Sequence, residues 1–161
     1  MPVTGGKQKI RIVALGGTFE IVHKGHRKLL SKALQLGDKL VIGLTSDEFV
    51  DRKQKKHTVS KYDKRHENIV KFLSDIRMVD RAEIISLNDP YGPTIDDGNI
   101  HGIVTSRETM KTALEINKIR TQKKFEPLKI YVVDFTLAKD GLPISVSRIL
   151  SGLIDKEGKM L

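Results

Sequence analysis

Gly16-Gly17-Thr18-Phe19-Glu20-Ile21-Val22-His23-Lys24-Gly25-His26 begins where the apolar run of residues 10–15 (IRIVAL) stops, and an amphipathic segment follows at once. The run reads as a buried strand. In residues 25–36, Leu29, Leu30, Ala33 and Leu34 fall on one helical face, and Gly37 is placed to end that helix. Strand, glycine-bearing turn and helix form the opening half of a strand–helix–strand unit. The pattern then repeats. Residues 40–44 (LVIGL), 82–87 (AEIISL), 103–105 (IVT) and 129–135 (KIYVVDF) read as strands, and helices are expected over residues 61–76, 108–120 and 146–154. Short strands apolar on both faces, alternating with helices, predict a single-domain α/β protein built on a doubly wound parallel sheet. Residues 89–99 (DPYGPTIDDGN) are the longest turn-rich stretch and read as a loop beside the sheet.

Composition narrows the function classes. The chain has 161 residues, 39% hydrophobic and 30% charged, enough apolar matter for one domain with its own core. No stretch approaches the length of apolar sequence that a membrane span needs, and residues 1–9 lack the apolar segment of a secretory signal. A cytoplasmic protein is expected. With no cysteine there is no disulfide framework, no thiolate metal site and no cysteine nucleophile.

Lys and Arg number 29 against 20 Asp and Glu, a net charge of +9. That excess suits nucleic acid, an acidic membrane surface or a small polyanionic substrate. Residues 51–66 hold seven of the cations (Arg52, Lys53, Lys55, Lys56, Lys61, Lys64, Arg65) and only two acids. Two readings stand: a solvated face, or a mobile loop closing over a triphosphate. Three Tyr, five Phe and no Trp give little material for stacking single-stranded bases, so nucleic acid is not an expected partner.

In doubly wound sheets, ligands sit at the carboxyl ends of the strands. The opening stretch occupies such an end. Gly16 and Gly17 permit close approach of backbone to a ligand, and Gly25 sits where the helix-opening turn needs a small residue. His26 falls in the first helical turn, where free amides and the helix dipole favour an anion, and His23 precedes it by three residues. The glycine spacing is neither a P-loop nor a dinucleotide fingerprint. No third ligand stands near the histidines, so no protein metal site is expected. The plain alternative is two surface histidines after a turn.

GGTFE…HKGH between a first strand and a first helix resembles the GTFD…HxGH signature of the nucleotidyltransferase α/β superfamily, with Glu20 in place of the usual Asp. Ile144-Ser145-Val146-Ser147-Arg148-Ile149 resembles its second motif, ISSTxI or ISSSRI, with Val146 replacing a hydroxyl residue. VIGLTSDEF (41–49), DPYGP (89–93), VTSRET (104–109), KDGLPIS (139–145) and GLID (152–155) resemble the archaeal and eukaryotic phosphopantetheine adenylyltransferases, over about residues 9–155. Arg107 stands where that type usually carries Glu, and the arginine-rich RGLR segment of the bacterial type is absent.

The resemblance implies a Rossmann-like nucleotidyltransferase fold. It also implies adenylyl transfer from ATP to 4′-phosphopantetheine, giving dephospho-coenzyme A and pyrophosphate, with Mg²⁺ carried by ATP. By the same resemblance, His23, His26, Lys56 and Thr18 form the catalytic group, with Thr18 and Lys56 also touching the acceptor. Gly16, Gly17, Gly25, Ser145, Ser147 and Arg148 are the nucleotide and phosphate contacts. Ser145 and Ser147 equally suit an ordinary helix N-cap. A glycerol-phosphate cytidylyltransferase or an FAD synthetase would carry both motifs too, and a basic nucleic-acid-binding module remains a further alternative. Oligomeric state has no signature in the chain.

Overall fold

Alternation along the central strands decides how the sheet is covered. Val13 and Leu15 join one buried cluster with Leu40, Ile42 and Leu44, while Ala14, between them in sequence, joins a second cluster with Ile103, Ala113 and Ile116. Successive side chains of a strand face opposite ways, so this chain needs apolar cover on both sides. The computed structural model describes residues 10–53 and 58–161. Five parallel strands, β1 (Ile10–Gly17), β2 (Gly37–Thr45), β3 (Ala82–Leu87), β4 (Gly102–Ser106) and β5 (Lys129–Val133), lie in the order β3-β2-β1-β4-β5. On the first face, α1 (Lys24–Leu36) supplies Leu30, Ala33 and Leu34, and α3 (Tyr62–Asp75) supplies Ile69 and Leu73. On the other face, α4 (Met110–Gln122) supplies Ala113 and Ile116. Each large aliphatic side chain so buried contributes about 1.5–3 kcal/mol.

The strand order reverses between β1 and β4, which lie side by side with Val13 opposite Gly102 and Ala14 opposite Ile103. That reversal opens a crevice at the carboxyl ends, directly under the Gly16–His26 stretch.

Several elements differ from expectation. A short helix, α2 (Asp47–Arg52), follows β2 where no helix is expected from sequence; Ser46 caps it, its Oγ accepting from the Phe49 amide at 3.1 Å. The last helix, α5 (Val146–Leu150), stops four residues short of residue 154, because the chain turns at Gly152 and Ile154 pairs with Met160 instead. Gly37 does end α1, but in an extended conformation (φ −117°) that starts β2, so left-handed freedom is not what it provides. The 89–99 loop contains a 3-10 turn, Gly92–Ile95. Buried Arg120 ties it down by donating to the carbonyls of Thr94, Asp97 and Ile100.

The basic run of residues 51–66 does not act as one unit. Arg65 is fully buried. It donates to the Ser60, Thr18 and Thr45 carbonyls and to Asp47, locking the ends of β1 and β2 to the start of α3. Lys53 lies over the Phe49 ring. Lys55 and Lys56 lie outside the described residues.

Candidate active site

The stretch after β1 is folded back on itself by Phe19, a non-glycine residue at φ +53° whose ring is 2% exposed. Left-handed backbone is costly for a bulky residue, and burial of the ring offsets that cost here. An added Cβ on Gly17 would come within 3.0 Å of the Phe19 ring. The turn leaves Thr18 on one side, its Oγ1 accepting from Thr45 Oγ1 at 3.2 Å. On the other side is Glu20, whose carboxylate accepts from both the amide and the hydroxyl of Ser60 at 2.6 Å.

His23 is the N-cap of α1. Its Nδ1 accepts from the amides of Gly25 at 3.0 Å and His26 at 3.3 Å. This explains the glycine between the histidines: a Cβ on Gly25 would lie 2.8 Å from the imidazole Cε1 of His23. The amides of this turn are therefore not free as the sequence suggested. Lys24 N donates to the Lys156 carbonyl, and Gly25 and His26 donate to His23. What the helix start offers an anion is its dipole and its imidazoles.

His26 stacks on His23 with ring centroids 3.8 Å apart, and its Nδ1 lies 2.7 Å from the Ile21 carbonyl. A carbonyl only accepts, so Nδ1 carries the proton. Burial pushes the pKa of His23 down to about 3, helped by the neighbouring His26 and Arg27. Burial likewise pushes His26 down to about 4, against the opposing hydrogen bond to Ile21. Both rings are neutral at pH 7 in the free protein.

A cavity of about 420 Å³ opens over this constellation. Gly16, Gly17, Thr18, His23, Gly25 and His26 line it from the β1 side, and Ser145, Val146 and Ser147 close the far side. Arg148 is not among the described lining residues; it donates to the Pro143 carbonyl and pairs with Asp140. Ser145 is indeed a cap, its Oγ accepting from the Arg148 amide at 3.3 Å. Arg107 pairs with Asp134 at 2.7 Å on the exposed rim.

A second, apolar cavity of about 130 Å³ lies between α2, the 89–95 loop and α4, lined by residues such as Phe49, Leu87, Tyr91 and Ile116. Gly16, Gly17, Lys53, Val104, Thr105 and Thr109 line both cavities. Lys53, Thr109 and Thr136 fall in the stretches that follow predicted strands, where a ligand is expected, but none was assigned a role from sequence; Thr105, the last residue of the predicted 103–105 strand, was missed. Among the described residues, no group of three or more His, Asp or Glu is arranged to hold a metal ion. No described helix is long and apolar enough to cross a membrane.

Residues 14–152 match the cytidylyltransferase-like family. The chain is 44% identical, over 92% of its length and 94% of the relative's, to a phosphopantetheine adenylyltransferase of Methanosarcina acetivorans. It is 45% identical to one of Methanopyrus kandleri, over 92% of this chain and 93% of the relative. The chain belongs to the phosphopantetheine adenylyltransferases of the cytidylyltransferase-like family. Among solved structures, a protein of unknown function from Archaeoglobus fulgidus superposes with TM-score 0.67 at 37% identity, covering 76% of this chain and 88% of that one. Both cavities are lined by the ends of β1 and β4, where the strand order reverses, and the HxGH turn lines the larger.

Proposed function

We propose that this chain transfers the adenylyl group of ATP to the phosphate of 4′-phosphopantetheine, releasing pyrophosphate and forming dephospho-coenzyme A in the cytoplasm. The observation that carries this reading is the His23–His26 pair over a cavity of mixed lining that adjoins an apolar one, in a chain 44% identical to an archaeal phosphopantetheine adenylyltransferase. ATP takes the larger cavity. The pantetheine arm, long and without charge, suits the apolar cavity beyond Lys53 and Thr105.

The acceptor phosphate is already ionised at neutral pH, so the reaction needs no strong base. It needs two polyanions held in line, with stabilisation of charge growing on the α-phosphate and on pyrophosphate. In this reading His26 stabilises the transferring group and His23 holds the turn that presents it. Thr18 meets the acceptor phosphate, Gly16 and Gly17 give the α-phosphate close approach, and Lys56 supplies positive charge. Ser145 and Ser147 attend the leaving phosphates, where Arg148 joins them on exchanging Asp140 for phosphate. Mg²⁺ enters as part of the MgATP substrate, with phosphate oxygens and water as its ligands.

The test is product analysis by mass spectrometry after incubation with ATP, Mg²⁺ and 4′-phosphopantetheine. Dephospho-coenzyme A and pyrophosphate in equal amounts are expected. Equal or faster turnover of CTP with glycerol phosphate, or of ATP with FMN, would overturn the reading. Lys56→Ala should depress turnover while leaving the melting temperature unchanged.

A further inference from the structure

Two side-chain oxygens among the described residues are buried with no hydrogen-bond partner, Thr105 Oγ1 and Thr136 Oγ1. Buried hydroxyls are ordinarily satisfied, because leaving one unpaired forfeits its contacts with water and gains nothing in return. Here both exceptions line the same cavity, the larger one. Thr105 is only 4% exposed and belongs to β4, the strand beside β1 at the order reversal; it also lines the apolar cavity. Thr136 lies beside the first turn of α1, its Cβ 3.8 Å from the point a Cβ on Gly25 would occupy. Its carbonyl accepts from the Ile144 amide at 2.9 Å, which joins the end of β5 to the approach to α5. A molecule running from the α5 side to the junction of the cavities passes both hydroxyls.

The missing partner has a chemical character. Thr136 sits beside the start of α1, whose dipole favours negative charge, Thr105 lines both cavities with Lys53, and a hydroxyl that lacks a partner is completed by an oxygen with spare lone pairs. Phosphate oxygens offer these, and a charged acceptor makes the stronger bond. We propose that Thr105 and Thr136 are nucleotide contacts, each donating its hydroxyl proton to a phosphate oxygen. Thr136 serves the chain of phosphates beside α1, and Thr105 serves the phosphate at the cavity junction, where transfer takes place. This rests on the nucleotide reading of the larger cavity, but not on the identity of the acceptor.

The test uses the full chain and a non-hydrolysable ATP analogue with Mg²⁺, titrated by calorimetry, alongside thermal melts without ligand. Thr105→Val and Thr136→Val keep shape and remove the unpaired hydroxyl. Each should melt at the wild-type temperature or above and bind the analogue roughly tenfold more weakly, as for loss of one hydrogen bond to a charged group. Thr105→Ser and Thr136→Ser, which keep the hydroxyl, should bind as the wild type does. Valine variants with wild-type affinity would overturn the inference, and so would variants that melt lower without losing affinity. Failure of the wild type itself to bind the analogue would instead overturn the nucleotide reading.

Discussion

His26→Ala tests the centre of the proposed chemistry, and the structure sets what should follow. The Ile21 carbonyl 2.7 Å away holds the proton of the neutral ring on Nδ1, so Nε2 carries none. Such a ring can donate to a transferring phosphoryl group only as an imidazolium. With the pKa pushed down to about 4 by burial, charging it at pH 7 costs roughly 4 kcal/mol at 1.36 kcal/mol per unit. A bound triphosphate, which brings several negative charges into a partly dehydrated cavity, offsets that cost. MgATP binding should therefore be linked to uptake of up to one proton. Calorimetry at pH 7 in two buffers of different ionisation enthalpy measures that number directly. His26→Ala should abolish the uptake and lower kcat by about 10²–10³, the loss expected for one preorganised donor, while weakening ATP binding far less. The helix cap survives this substitution, because His23 binds the backbone amide of residue 26 rather than its side chain. Wild-type binding without proton uptake would refute the imidazolium argument. A variant with near-normal kcat would reduce His26 to a structural residue.

Other perturbations probe the scaffold around it. Arg65→Met should lower the stability measured by urea unfolding by roughly 3 kcal/mol, since several buried acceptors lose a charged donor together; an unchanged midpoint would show that Arg65 is not the clamp. Glu20→Ala should cost about 1 kcal/mol and speed proteolysis near Ser60, whose amide and hydroxyl it holds; equal cleavage rates would count against that tether. Stability should also depend on pH. The unfolded histidines protonate near 6.5, but His23 and His26 resist until about 3 and 4, so the unfolded state binds more protons over that range. Their contribution is complete above pH 6.5 and declines as pH falls toward 4, by about 1 kcal/mol for each ring at pH 5.5. A melting temperature flat from pH 7 to 5, or one that drops no more steeply in wild type than in His26→Ala, would contradict this.

The doubly wound parallel sheet and the position of the site were legible because they follow from periodicity and from a topological rule. Alternating apolar runs demanded a sheet covered on both faces, and the carboxyl end of β1 carried the histidines and glycines. What the sequence concealed was the direction of each side chain. Arg65 was counted with six other cations of one basic stretch, yet it is buried against carbonyls while Lys53 reaches the cavity rim. Counting charges treats these as equal; only packing separates a structural cation from a functional one. Gly25 reads in sequence as a position that needs a small residue, but the reason, the His23 ring lying over it, is one that no spacing rule shows. The first amides of α1 looked available for phosphate until His23 and the Lys156 carbonyl were seen to occupy them. The same logic runs in reverse for Thr105 and Thr136. A threonine at a strand end reads as ordinary β-propensity. Only when every neighbouring donor and acceptor is accounted for does its unpaired hydroxyl become informative. Motifs therefore locate this site, while the accounting of hydrogen bonds decides which of its groups are left for a ligand.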